Sequence, residues 1–309
     1  MSRPPGASVG GQAVIEGVMM RAPNKWAVAV RRPDGVIEAV SHELPRLSAR
    51  SRWARIPFIR GVLVLGESLS LGFRALSWSA QKAGEEDGEE IKPRHIAFAM
   101  IFALVFFVGL FMILPLLIAR GAEHLFGEST ILFNVVDGLV RIILFIGYIW
   151  AIGLSAEIRR VFAYHGAEHK TIFAYEAGKP LSVDQIQPYS PQHPRCGTNF
   201  LVIVILIALV LFTALGRPDW PWLIASRVIG IPIIAGLAYE VLKLGAERRW
   251  MSAASKPGIW LQYLTTREPE DDQVEVAVAS LLAALNEGER RDVEERGPIA
   301  PAALNAEFT

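Results

Sequence analysis

A chain of 309 residues with 52% hydrophobic residues and a mean hydropathy of +0.33 is too apolar for a water-soluble globule and reads as a membrane protein. Its 31 basic and 31 acidic residues cancel to a formal charge of zero, which gives no electrostatic ground for a nucleic-acid partner. The single cysteine, Cys196, excludes an intrachain disulfide framework and a zinc site built of cysteines alone.

The opening MSRPPGASVGGQAVIEG has no apolar core ahead of a cleavage site, so no signal peptide is expected and the N-terminus should be retained. In GGQAVIEGVMMR (10–21), Gly10, Gly11 and Gly17 surround a lone acid, Glu16, a candidate ligand or base. The alternative there is an edge strand with Glu16 in water. KWAVAVR (25–31), the turn PDG, and VIEAVS (36–41) alternate as a β-hairpin, giving residues 1–55 a small β-structured part.

In residues 56–82 the charges Arg60, Glu67 and Arg74 recur every seven residues on an otherwise apolar helix. That narrow stripe predicts an amphipathic helix at the membrane interface or packed on the bundle. A fifth span over 61–80 is the rival, and the charges inside it argue against it. AGEEDGEE opens a solvated acidic linker over 83–94.

A span needs about 20 apolar residues, and four stretches qualify: 96–119, 131–154, 200–216 and 222–244. They predict two transmembrane hairpins, 95–155 and 199–245. Asp137 and Arg141 in the second stretch share a helix face and can pair; Pro232 in the fourth predicts a kink. Basic residues collect before the first span (Arg46, Arg50, Arg52, Arg55, Arg60, Lys92, Arg94) and between the second and third (Arg159, Arg160, Lys170, Lys179, Arg195), while the other two loops hold one basic residue each, Arg120 and Arg217. That asymmetry predicts a multi-pass protein of the inner (plasma) membrane with both termini cytoplasmic. Residues 246–309 offer one amphipathic helix (272–287) and a charged tail expected to be disordered. The fold class is thus a mainly α membrane protein with a small β segment.

Three of the six histidines and the cysteine fall within 165–196, the connection between spans two and three. YHGAEHKTIFAYEAG (164–178) is helix-forming and stops at Gly178 and Pro180. At about 100° per residue, His169 lies about 40° from His165, Glu176 about 20°, and Glu168 about 60° to the other side. His165, Glu168 and His169 form H-x-x-E-H, the inverted zinc-enzyme order, in which two imidazoles bind a metal and the carboxylate acts on its water. A solvated helix face is the alternative. A third ligand could come from Glu176, His193 or Cys196; Glu176 lies about 10 Å along the helix from His169, whereas His193 and Cys196 sit on a loop that can fold back. Cys196 is also a candidate nucleophile, with Arg195 and a helix N-terminus to lower its pKa. His42, His95 and His124 stand alone.

GGQAVIEGVMMRAP, RIPFIRGVLVLGESLSLG, YHGAEHKTIFAYE, HPRCGTNFL and PGIWLQYLTTREP, in this order over residues 9–283, resemble the YqhQ-like family of bacterial membrane proteins. The resemblance implies a polytopic membrane protein labelled a predicted metal-dependent enzyme, with no substrate attached.

The expectation is a metal-dependent hydrolase, with zinc as the divalent ion. His165 and His169 would bind it, His193 or Cys196 would complete the site, and Glu168 would accept a proton. Expected partners are membrane lipids and a peptide or lipid-linked substrate. The rival is a non-catalytic scaffold that binds a protein partner around a structural metal or none. A transporter fits less well, because Asp137 and Arg141 neutralise each other.

Overall fold

The computed structural model describes residues 9–44, 53, 56–84, 93–127, 129–216, 219–247 and 256–308. The basic residues Arg46 to Arg55, Lys92, Arg217 and most of the acidic linker lie outside them.

Four antiparallel strands open the chain: β1 (Gly10–Val14), β2 (Gly17–Arg21), β3 (Lys25–Arg31) and β4 (Ile37–Glu43). The expected hairpin is β3–β4, and GGQAVIEGVMMR forms a second one whose two-residue turn is Ile15–Glu16. Period-2 alternation gives the sheet two apolar faces. Val18, Met20, Ala27, Ala29 and Ala39 point to one side, and Met19, Trp26, Val28 and Val30 to the other. A sheet apolar on both faces must be covered twice.

Helix α1 (Ile59–Ala83) covers the second face with Leu71 and Ala75. Its far end is tied to the sheet by Lys82 and Glu38 at 3.0 Å, so α1 runs along the sheet and is not among the helices that qualify as spans. Its near end packs on the last span, where Gly61 meets Gly236 and Arg60 Nε donates to Glu240 at 2.6 Å.

The spans follow. The first combines α2 (Pro93–Val108), a π turn (Gly109–Ile113) and α3 (Leu114–Phe126). Pro115, within the first turn of α3, has no N–H for the helical ladder, which accounts for the distortion just before it. The helix runs seven residues past the expected end at 119, through RGAEHLF. Then come α4 (Thr130–Ile152), α5 (Ala156–Glu176), the short α6 (Val183–Ile186), α7 (Thr198–Leu215) and α8 (Trp220–Glu247), which continues through Pro232. Among the described residues four helices are long and apolar enough to cross a membrane: Ala97–Phe126, Thr130–Ile152, Thr198–Leu215 and Pro221–Leu244. Arg141 pairs with Asp137 at 3.0 Å as its spacing implied. Arg227 of α8 also reaches that carboxylate, at 3.3 Å.

The C-terminal segment departs most from expectation. It holds α9 (Lys256–Thr265), α10 (Asp271–Ala284), α11 (Glu287–Glu295), α12 (Pro301–Leu304) and β5 (Glu307–Phe308), which pairs in parallel with β4. Helix α10, predicted amphipathic, is buried on every side from Gln273 to Ala284 apart from Glu275. It lies between the sheet and α5, close enough for Ser280 Oγ to donate to the Ala27 carbonyl at 3.3 Å. The alanines of β3 and β4 permit that approach. The tail is ordered because sparse apolar residues, Val293, Ile299, Ala300 and Ala303, plug into this core. Its charges find partners, as in Arg32 with Glu307 at 3.2 Å.

Candidate metal centre

Helix α5 continues from α4 after a break at Gly153–Ser155 and enters the layered domain. It stops as expected: Gly178 takes φ +67°, a left-handed cap that glycine adopts without strain, and Lys179 N–H returns to the Ala174 carbonyl at 3.0 Å. The following loop then folds back along α5. Lys170, buried, pins it by donating to the Gln187 carbonyl at 2.7 Å.

That fold-back brings His165, His169 and Cys196 together, with one donor atom from each lying within 4.8 Å of the others. The imidazoles lie one turn apart, 4.4 Å between ring centroids and tilted by 59°. His165 Nδ1 is 2.9 Å from the Thr265 carbonyl and His169 Nδ1 is 2.6 Å from the Pro191 carbonyl. Carbonyls accept only, so both Nδ1 atoms carry the proton and both Nε2 atoms keep a free lone pair. His165 Nε2 faces Cys196 Sγ at 3.3 Å. Two imidazole nitrogens and one sulfur suit a borderline-soft divalent ion, and the backbone carbonyls orient them as metal ligands are oriented. The chemistry of the donor set therefore fits a metal.

The other expected residues sit around this cluster. Glu168 is buried, turned toward β1, where it accepts from the Gly11 backbone N–H. Burial raises its carboxyl to about 7, opposed by the neighbouring His165 and by that hydrogen bond. His193 is buried against Phe173, with its ring 5.5 Å from that of His169. Its Nδ1 accepts from Arg195 N–H at 3.2 Å, which leaves the proton on Nε2. Burial, then the neighbouring His169, lowers this imidazole to about 4. Glu176 is ion-paired with Arg195. Glu16 is ion-paired with Arg160 at 2.6 Å, beside the Tyr164 hydroxyl.

The sequence reading missed Gln262. This fully buried amide accepts from His193 N–H at 2.7 Å and donates to the His193 carbonyl at 2.9 Å and to Thr198 Oγ1 at 3.1 Å. It thus clamps the loop that carries Cys196 onto the start of α7. Its one signal was an amide alone in the apolar run GIWLQYL. Thr265 and Pro191 act through backbone carbonyls, which no residue type announces.

These features define a class: a membrane protein whose terminal segments and central connection build one layered domain with a His/His/Cys cluster at the mouth of a span. The chain belongs to the family described as protein of unknown function (DUF1385), which its residues 56–287 match. It is 33% identical over 300 residues to the "Uncharacterized protein YqhQ" of Bacillus subtilis (strain 168), covering 90% of this chain and 94% of that one. No solved structure matches it significantly.

Proposed function

We propose that this protein is a zinc-dependent hydrolase of the bacterial inner membrane, with its site and both termini on the cytoplasmic side. The observation that carries the reading is the His165, His169 and Cys196 set, in which backbone carbonyls hold both imidazoles at Nδ1 and His165 Nε2 faces the Cys196 sulfur. Three protein ligands with a fourth position left to a reactant is the pattern of catalytic zinc, whereas structural zinc takes four. When bound, zinc supplies Lewis acidity at that position. His193 is not in the set, and its protonated Nε2 makes it a donor on the wall. Glu168 accepts the proton of the attacking water. Cys196 lies two residues before the first residue of α7, so a substrate anchored in or on the membrane, peptide or lipid-linked, can reach it.

One distance favours a second, metal-free reading. Cys196 Sγ at 3.3 Å from His165 Nε2, with the Thr265 carbonyl orienting the other nitrogen, is also the arrangement of a thiol nucleophile and its base. Elemental analysis of purified full-length protein separates the two. Stoichiometric zinc, lost in both His165→Ala and His169→Ala, supports the hydrolase. Zinc-free protein that is alkylated rapidly at Cys196, and slowly in His165→Ala, overturns it in favour of the thiol.

A further inference from the structure

Helix α9 has two unlike faces. At about 100° per residue, Gly258, Leu261, Gln262 and Thr265 fall within an arc of about 100°, and Lys256, Trp260 and Tyr263 within about 60° on the opposite side. The first four are buried, whereas Trp260 is 70% and Tyr263 62% exposed. The buried face is tied to the start of a span: a Cβ at Gly258 would fall 1.7 Å from Asn199 Oδ1, the Gly258 carbonyl accepts from Thr198 Oγ1 at 3.4 Å, and Gln262 Nε2 donates to the same hydroxyl at 3.1 Å. That contact fixes the depth of α9. The span Thr198–Leu215 has 18 residues, about 27 Å of helix against a hydrocarbon core of about 30 Å, so Thr198 has to stand at the boundary. Whichever way α9 points, Trp260 and Tyr263 lie about 3 Å and about 7.5 Å along it from Gly258, within a headgroup layer about 5–8 Å deep. Because α4 leads into the layered domain and α7 leads out of it, Trp150, 60% exposed and two residues before the end of α4, stands at the same boundary.

We propose that α9 is an interfacial helix whose Trp260 and Tyr263 are seated among lipid headgroups, and that this seat holds the His/His/Cys cluster in shape. Rings with an apolar body and a polar tip partition to the membrane–water boundary, and the exposed Lys256 on the same arc suits lipid phosphate. The face adjoins the lipid-facing surface of the spans through Thr198 and Asn199, which makes lipid its partner. On the reverse face the same helix holds two arms of the cluster. The Thr265 carbonyl orients His165 through Nδ1 at 2.9 Å, and Gln262 grips the backbone of His193, three residues before Cys196. A helix lifted from the lipid moves His165 and the Cys196 loop together, so Trp260 and Tyr263 are positioning residues that act through Thr265 and Gln262. The inference rests on the cluster being the site, but on neither zinc nor hydrolysis.

The test uses the full chain in phosphatidylcholine nanodiscs. Tryptophan emission of the wild type minus that of Trp260→Phe isolates Trp260, and phosphatidylcholine brominated near the head of its acyl chains should quench it more strongly than lipid brominated near the chain ends. Absent quenching, or quenching as strong from the chain ends, overturns the interfacial seat. Coupling is read as the rate of Cys196 alkylation, with and without a zinc chelator. Trp260→Ser combined with Tyr263→Ser should raise that rate severalfold in both conditions. Trp150→Ser, at the same boundary but on α4, which supplies neither arm, should leave it at the wild-type value. A wild-type rate in the double variant overturns the coupling, and an equal rise in Trp150→Ser shows general loosening and overturns it too. Zinc-free protein gives the same comparison, so failure of the hydrolase reading leaves this result standing.

Discussion

The Glu168 carboxylate takes its backbone hydrogen bond from Gly11, so the edge strand of the sheet and the helix of the candidate centre meet at a glycine. A Cβ at Gly11 would fall 2.3 Å from the Met19 carbonyl oxygen and 3.1 Å from Glu168 Oε1. The first contact is with backbone and cannot relax without moving the hairpin. Gly11→Ala is therefore expected to destabilise the layered domain by about 1–3 kcal/mol. It should also displace Glu168 while leaving His165, His169 and Cys196 in place. Melting midpoint and zinc content, measured together, check this: a lower midpoint with zinc retained is expected.

Glu16 stands at the other end of β1. Its partners are Arg160 and the Tyr164 hydroxyl, and it lies outside the three-residue cluster. The pair is part exposed, 46% for Arg160 and 29% for Glu16, which limits its contribution to about 1 kcal/mol or less. Glu16→Gln should keep zinc, complementation and nearly all stability. Loss of zinc in that variant would make Glu16 a ligand after all.

Much of this molecule was legible in the sequence because its signals were local. The spans announce themselves as apolar runs, and the i, i+4 spacing of His165 and His169 puts both on one helix face whatever the rest of the chain does. The third member of the cluster was less accessible. His193 and Cys196 were equal candidates by spacing; the tertiary Gln262 clamp fixes the loop that carries both, and the local Arg195 N–H occupies His193 Nδ1. The tail misled for a related reason. Its composition is charged, and the few small residues that anchor it, such as Ala300 and Ala303, carry little hydrophobic signal until a core exists to receive them.

That anchoring makes a prediction about the tail. A stop codon after Leu285 removes Val293, Ala300 and Ala303, each fully buried, together with strand β5. The exposed face of α10 would then meet water, at a cost of several kcal/mol, since each apolar side chain stripped of its cover costs about 1–3 kcal/mol. Limited proteolysis of the truncated protein should cut the layered domain much faster than wild type while sparing the spans. Equal protection would return the tail to the status of a dispensable appendage.

The layered domain also constrains topology. Strands β1 to β4, helix α5 and helix α10 share one core, so the N-terminal segment, the central connection and the C-terminal segment lie on the same side of the membrane. Four crossings satisfy that. With the basic loops facing in, reporter fusions after Lys179 should read cytoplasmic, and those after Gly127 and Gly216 should read external. An external reading at Lys179 would overturn both the orientation and the compartment proposed for the site.

Glu168 separates a hydrolase from a scaffold. The carboxylate is buried beside His165 yet lies outside the three-residue cluster, so it is free to accept a proton without holding the metal. Glu168→Gln preserves shape and can still accept from Gly11 N–H, but an amide takes no proton. In a hydrolase this variant should keep zinc and a normal midpoint and lose activity by at least the factor of roughly 10² to 10⁴ attributed to a general base. Stability should not fall with activity: a carboxyl raised to about 7 by burial weakens the fold as pH rises from its unfolded value toward 7, and glutamine removes that penalty. Complementation of a deletion strain, scored beside zinc content and melting midpoint above neutral pH, reads all three. Near-normal complementation by Glu168→Gln with His165→Ala inactive would assign the metal a structural role, and the cluster would then serve to staple the 187–197 loop to α5.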